Sequence, residues 1–154
     1  MTWPSAPTPA REAAEMHRGR DQSRYAEGTR ALLAFGAEVS DREYEHARAR
    51  QAELTAAIDA CLDGGAGGGV AVLAGPTVGY PAPEQDPPFG TGTDHGEGRF
   101  TGPYNLSGHP AVSLPVPAPG PPAGLQLAGR RGGDRALLEA AAAAMSVLAS
   151  QEPR

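Results

Sequence analysis

Asp94-His95-Gly96-Glu97 sets two carboxylates beside an imidazole, the side-chain types of an acid–base hydrolytic site. Such a site also needs a nucleophile within hydrogen-bond reach of the histidine. Neighbours in a glycine-rich loop do not establish that geometry, and a solvated loop is the simpler reading. The seven serines are Ser5, Ser23, Ser40, Ser107, Ser113, Ser146 and Ser150, and none sits in a Gly-x-Ser-x-Gly elbow. Ser40 is better explained as a helix cap. Ser107 and Ser113 flank an apparent turn and strand, where hydroxyls commonly satisfy backbone groups. Cys61 is the only cysteine, so no disulfide can form within the chain. It falls on the apolar stripe of a helix and reads as packing rather than nucleophile.

The four histidines show no helical metal-ligand spacing, and no metal site is expected. His17 and His46 sit among charged residues and are expected to be exposed, while His109 lies between Gly108 and Pro110 in a turn. The glycine run Gly64–Gly69 invites a phosphate-loop reading, but it follows a helix and precedes a strand, the reverse of what a phosphate cradle needs. All 13 basic residues are Arg. Without lysine, no amine base, Schiff base or lysine phosphate clamp can come from these residues. The net charge of −5 argues against nucleic-acid and anionic-membrane partners.

These groups must be held by a chain of 154 residues, the size of one domain. Gly (21) and Pro (16) are abundant, whereas Leu, Ile, Val and Phe together make up only about 15%. Such a chain is poor in the large apolar side chains from which a core is built. Residues 1–8 read as a flexible terminus. Thr8-Pro9 resembles a helix entry, with Thr as cap and Pro in the first turn. The spacing of Tyr25, Thr29, Leu32 and Leu33 predicts a helix over 21–35, with Gly36 at its end.

Ser40-Asp41-Arg42-Glu43 is a capping box opening a helix over 40–62. Its stripe is Tyr44, Ala47, Gln51, Leu54, Ile58 and Cys61 or Leu62. Val70–Ala74 reads as a strand buried on both faces, and 76–99 as a long loop. Pro103–Gly108 suits one helical turn. Residues 111–129 alternate as a hairpin, in which proline suggests an edge or a strand end. Asp134 can cap a last helix over 134–149. The result is an α/β piece with a small sheet. The amino end lacks the pattern of a signal peptide, and the apolar run Ala140–Leu148 is too short to cross a bilayer, so a cytoplasmic protein is expected.

The order of these pieces carries a resemblance. Phe100-Thr101-Gly102-Pro103-Tyr104-Asn105-Leu106-Ser107-Gly108-His109-Pro110-Ala111-Val112-Ser113-Leu114-Pro115 resembles the Phe-Thr-x-Pro-Phe-Asn-x-Thr-Gly-x-Pro-Ala-x-Ser-x-Pro stretch near the end of amidase signature enzymes. Pro122–Arg130 is similar to that family's Leu-Pro-x-Gly-Leu-Gln-Leu-x-Gly, and Asp134–Leu138 to its final helix. Val70–Thr77 is similar to a strand of the family, with Gly75 where a Thr is usual. The likeness runs over residues 9–152.

The resemblance implies the C-terminal part of an amidase-signature-type mixed sheet flanked by helices, incomplete as a domain. The family hydrolyses amides with a Ser nucleophile, a bridging Ser and a Lys base. This sequence has no Ser-Ser pair and no Lys, so no catalytic residue carries over. The resemblance places Thr77, Tyr104 and Asn105 in the wall of a substrate pocket. It implies a small amide as ligand, no cofactor, and as partner a catalytic half or a homologous amidase chain. Two other readings stand beside it: a non-catalytic amidase remnant or regulatory binding module, and an independent hydrolase using Asp94, His95 and a serine.

Overall fold

A computed structural model describes residues 7–63, 71–81, 98–117 and 120–150. The glycine run 64–69 and Asp94, His95 and Glu97 lie outside the described residues, as do positions 1–6 of the expected flexible terminus. The chain divides into two units, whose described residues are 7–53 and 54–150.

In the first unit, α1 (Pro7–Met16) keeps both of its prolines in the first turn, where a missing N–H costs no helical bond. Thr8 is inside this turn and buried, not a cap preceding it. The second helix, α2, spans Glu27–Glu38, where the spacing predicts 21–35. Residues 21–26 are taken by local bonds that compete with a helix. The Ser23 N–H donates to Asp21 Oδ1 (2.9 Å), and the Tyr25 N–H to the Gln22 carbonyl (3.0 Å). Tyr25 also meets His17 through its hydroxyl (2.8 Å to Nδ1) and ring edge, so His17 is half-buried and not exposed as expected.

The inward face of α2 is Leu33 and Gly36, while Thr29 and Leu32 are exposed. Gly36 is not the helix end that the sequence suggests. A Cβ there would lie 2.0 Å from the Ala10 carbonyl oxygen, so the glycine is where α1 and α2 touch backbone to backbone.

α3 (Asp41–Asp63) begins with the reciprocal bonds of a capping box. The Ser40 N–H donates to Glu43 Oε2 (2.9 Å), its hydroxyl donates to the same oxygen (2.6 Å), and the Glu43 N–H reaches Ser40 Oγ (3.3 Å). Arg11 binds Asp41 (2.5 Å) and lies over the Tyr44 ring (4.8 Å), tying α1 to this helix start. Ser40→Ala is expected to cost about 1 kcal/mol in a denaturant melt.

The Ser40 hydroxyl, and then its N–H, hold the Glu43 carboxyl below the usual carboxylate range. A lowered folded-state pKa means that the contribution is present at neutral pH and is lost as pH falls through that range. Wild-type helicity, followed by circular dichroism below about pH 4, should therefore fall more steeply than that of the Ser40→Ala variant.

In the second unit the end of α3 buries Ile58 and Leu62, while Cys61 is exposed. The apolar stripe thus closes on Leu62, one residue and about 100° further round the helix than Cys61.

β1 (Leu73–Pro76), β2 (Ala111–Val116) and β3 (Ala123–Ala128) form an antiparallel sheet in the order β1-β3-β2. β1 begins later than the predicted 70–74 and alternates half-buried and exposed, because it is an outer strand and not a central one. Residue 76, assigned to the long loop by the sequence, belongs to this strand.

The Thr77 N–H donates to the Gly124 carbonyl (2.9 Å) and the Gly129 N–H to the Pro110 carbonyl (3.0 Å). Together with the register Pro76↔Leu125 and Pro115↔Gly124, these bonds fix which backbone groups face β3. Pro76 and Pro115 both turn their missing N–H outward, so neither proline removes a ladder bond.

α5 (Asp134–Ala149) packs its Leu137 and Ala141 on Leu114 and Leu127 of the sheet, with Val112, Leu125, Met145 and Leu148 around them. The cap position of α5 is Gly133 and makes no side-chain bond. Asp134, expected as the cap, is in the first turn, where its charge suits the helix dipole. α4 runs over Gly98–Ser107, longer than the single turn that 103–108 suggests, and contains Pro103 in its interior. No described helix is long and apolar enough to cross a membrane.

Candidate functional site

The register that aligns the strands also brings two hydroxyls together. Thr77, one residue beyond β1, and Ser113 on β2 flank β3 from opposite sides. Their oxygens meet at 2.5 Å across Gly124. Gly124 is required there: a Cβ would lie 2.6 Å from Thr77 Oγ1 and 2.8 Å from Ser113 Oγ. Each hydroxyl carries one proton and two lone pairs, so the pair, once mutually bonded, keeps one free O–H donor and spare acceptor capacity. Thr77 is half-buried and Ser113 exposed. Ser113 thus bonds a side chain rather than the backbone group expected for it. Gly124→Ala is expected to push the hydroxyls apart and to cost about 1–2 kcal/mol by thermal melt, whereas at Gly75 of β1, where a Cβ meets nothing within 4 Å, the same change should cost less.

Tyr104 and Asn105 are consecutive on α4 but differ in setting. Tyr104 is half-buried, and burial, aided by the nearby Cys61, pushes its phenol up. Asn105 is exposed. α4 is joined to the sheet by Gln126 of β3, a buried amide whose Nε2 donates to the Phe100 carbonyl (2.8 Å).

The turn from α4 to β2 holds a group of residues that the sequence does not single out. His109, in the turn expected for it, has a fully buried side chain. Its Nδ1 meets Ser107 Oγ at 2.8 Å and its Nε2 meets Asp59 Oδ1 at 3.2 Å. Arg131 donates to both Asp59 oxygens, from Nε to Oδ1 at 3.3 Å and from a terminal nitrogen to Oδ2 at 2.6 Å. Ser, His and Asp are the residue types of an acyl-transfer triad. Here, however, Ser107 is 5% exposed beneath its own helix end and the imidazole is sealed on both nitrogens, so no carbonyl carbon can reach the Oγ. The group is a brace that joins α3, the α4–β2 turn and the β3–α5 turn. Among the described residues no group of three or more His, Cys, Asp or Glu could hold a metal ion.

No family model matches the sequence, and no curated protein matches it. Solved structures do. The chain is similar to an amidase at 27% identity and TM-score 0.66, over 86% of its own length and 32% of that chain. It shares the fold of a 6-aminohexanoate cyclic dimer hydrolase (24% identity, TM-score 0.60, covering 94% of this chain and 34% of that one). It also shares the fold of a bacterial aryl acylamidase of the amidase signature family (19%, TM-score 0.55, covering 84% and 29%). The chain spans about a third of the length of these structures. Over most of its length, by fold and by the order of its motifs, it is similar to the C-terminal portion of the amidase signature enzymes.

Proposed function

We propose that this chain supplies scaffold and substrate-pocket wall to an amide hydrolase whose Ser–Ser–Lys apparatus lies on a partner chain. The observation that carries this reading is the match to about a third of an amidase at 27% identity and TM-score 0.66. These 154 residues contain neither lysine nor a Ser-Ser pair, so the Ser–Ser–Lys apparatus of this reading lies outside them. The reaction is acyl transfer. A serine of the partner attacks the amide carbon, the lysine moves the proton through the bridging serine to the departing amine, and water then releases the acid. Thr77, Tyr104 and Asn105 line the wall of the pocket, with Tyr104 kept as a neutral phenol that can donate a hydrogen bond.

Co-expression with the catalytic two-thirds of an amidase signature enzyme tests the reading. Co-elution on size exclusion and gain of hydrolysis of a simple carboxamide are expected. Co-elution without turnover would favour a non-catalytic binding module. Absence of both would overturn the proposal, as would carboxamide cleavage by the purified chain alone.

A further inference from the structure

The first unit contains a cleft that the amide-hydrolase reading does not use. It has a volume of about 390 Å³ and lies between α1 and α2. That volume is within the range of small-molecule sites. Its apolar wall comes from Ala14 on α1 and from Leu33, Ala34 and Ala37 on α2. Three of these four side chains are a single methyl group, which is what leaves the space between two helices that touch at Ala10 and Gly36.

The polar groups of the cleft are unequal. Arg11 and Glu15 both line it, but they bond each other at 3.2 Å, and Arg11 is further held by Asp41 at 2.5 Å. Arg11 is therefore already held by two carboxylates. Arg18 and Gln22 also line the cleft, and neither side chain has a partner among the described residues. Arg18 lies in the turn just beyond α1, where its N–H donates to the Glu15 carbonyl (3.3 Å).

The cleft thus offers a guanidinium and a carboxamide that have no side-chain partner among the described residues, beside an apolar wall. A guanidinium pairs with a carboxylate through two parallel N–H···O bonds, and an amide NH2 can add a third donor. We propose that this cleft binds a small monocarboxylate with an apolar body, its carboxylate on Arg18 and Gln22 and its body against Leu33, Ala34 and Ala37. A neutral amide of the same shape lacks the charge that Arg18 selects, so the site discriminates an acid from its amide.

The probe is phenylacetate, titrated into the isotopically labelled 154-residue chain and followed by amide nuclear magnetic resonance shifts, with phenylacetamide as the neutral control. Saturable shifts confined to residues 11–22 and 33–39 are expected with phenylacetate, and at least tenfold weaker binding with phenylacetamide. Arg18→Gln should weaken phenylacetate at least tenfold, and Arg18→Lys less. Ala37→Leu should abolish binding by filling the wall while leaving Arg18 in place. Equal affinity for acid and amide, unchanged binding by Arg18→Gln or by Ala37→Leu, or the absence of saturable shifts would each overturn the proposal. None of these results depends on a catalytic partner.

Discussion

Replacement of Gly36 by alanine is expected to lower the unfolding free energy by about 3 kcal/mol, the upper end of what overpacking costs. The methyl group would have to occupy a point 2.0 Å from the Ala10 carbonyl oxygen and 2.4 Å from its carbon. Neither atom is the end of a flexible side chain, so relief requires one helix to move away from the other. That movement would also carry Arg11 away from Asp41 and Tyr44, whose contacts join α1 to the start of α3. Helix propensity works in the opposite direction, since alanine is favoured over glycine inside a helix by about 1 kcal/mol. The measured loss is therefore the clash less that gain. A denaturant melt in which Gly36→Ala is as stable as the wild type, or more so, would show that α1 and α2 do not touch as described.

Gly36 also shows where the sequence could be read and where it could not. A glycine after an apolar stripe is a sound helix-stop signal, but the same residue serves wherever two backbones meet, and only the position of Ala10 tells the two uses apart. α3 and α5 were legible because their stripes recur at three and four residues and because the Ser40–Glu43 box is entirely local. The start of α2 was obscured by Asp21, whose carboxylate captures the Ser23 N–H and holds the chain in a turn. At the candidate site, the Thr77–Ser113 pair depends on the register of three strands, which no residue spacing encodes. Ser113 was accordingly missed, although the alternation of β2 does put it on the face opposite Leu114. The burial of His109 is hidden from the sequence for a related reason. Gly-His-Pro is a turn in any local reading, and the burial of the ring is set by Asp59, fifty residues earlier, and by Arg131.

The brace around His109 carries the other large effect. Asp59→Ala is expected to destabilise the chain by about 2–3 kcal/mol, because it strips His109 Nε2 of its described acceptor while the ring stays buried. The loss should come from the histidine and not from the arginine. Arg131 has a side chain 53% exposed and can turn to water, so Arg131→Ala alone should cost under about 1 kcal/mol. Asp59→Asn should fall between the two. One oxygen can still accept from His109 or Arg131, but the NH2 then faces the other donor. His109→Leu removes the orphaned group altogether, so the Asp59→Ala/His109→Leu double variant should lose much less than the two single losses added together. The same cycle with Arg131→Ala should show a smaller coupling, no more than the roughly 1 kcal/mol that an exposed ion pair contributes. If Asp59→Ala costs no more than Arg131→Ala, the imidazole has found another partner. Asp59 would then be a surface ion-pair residue, and α3 would not be braced to the turn that carries β2 and its Ser113 into place.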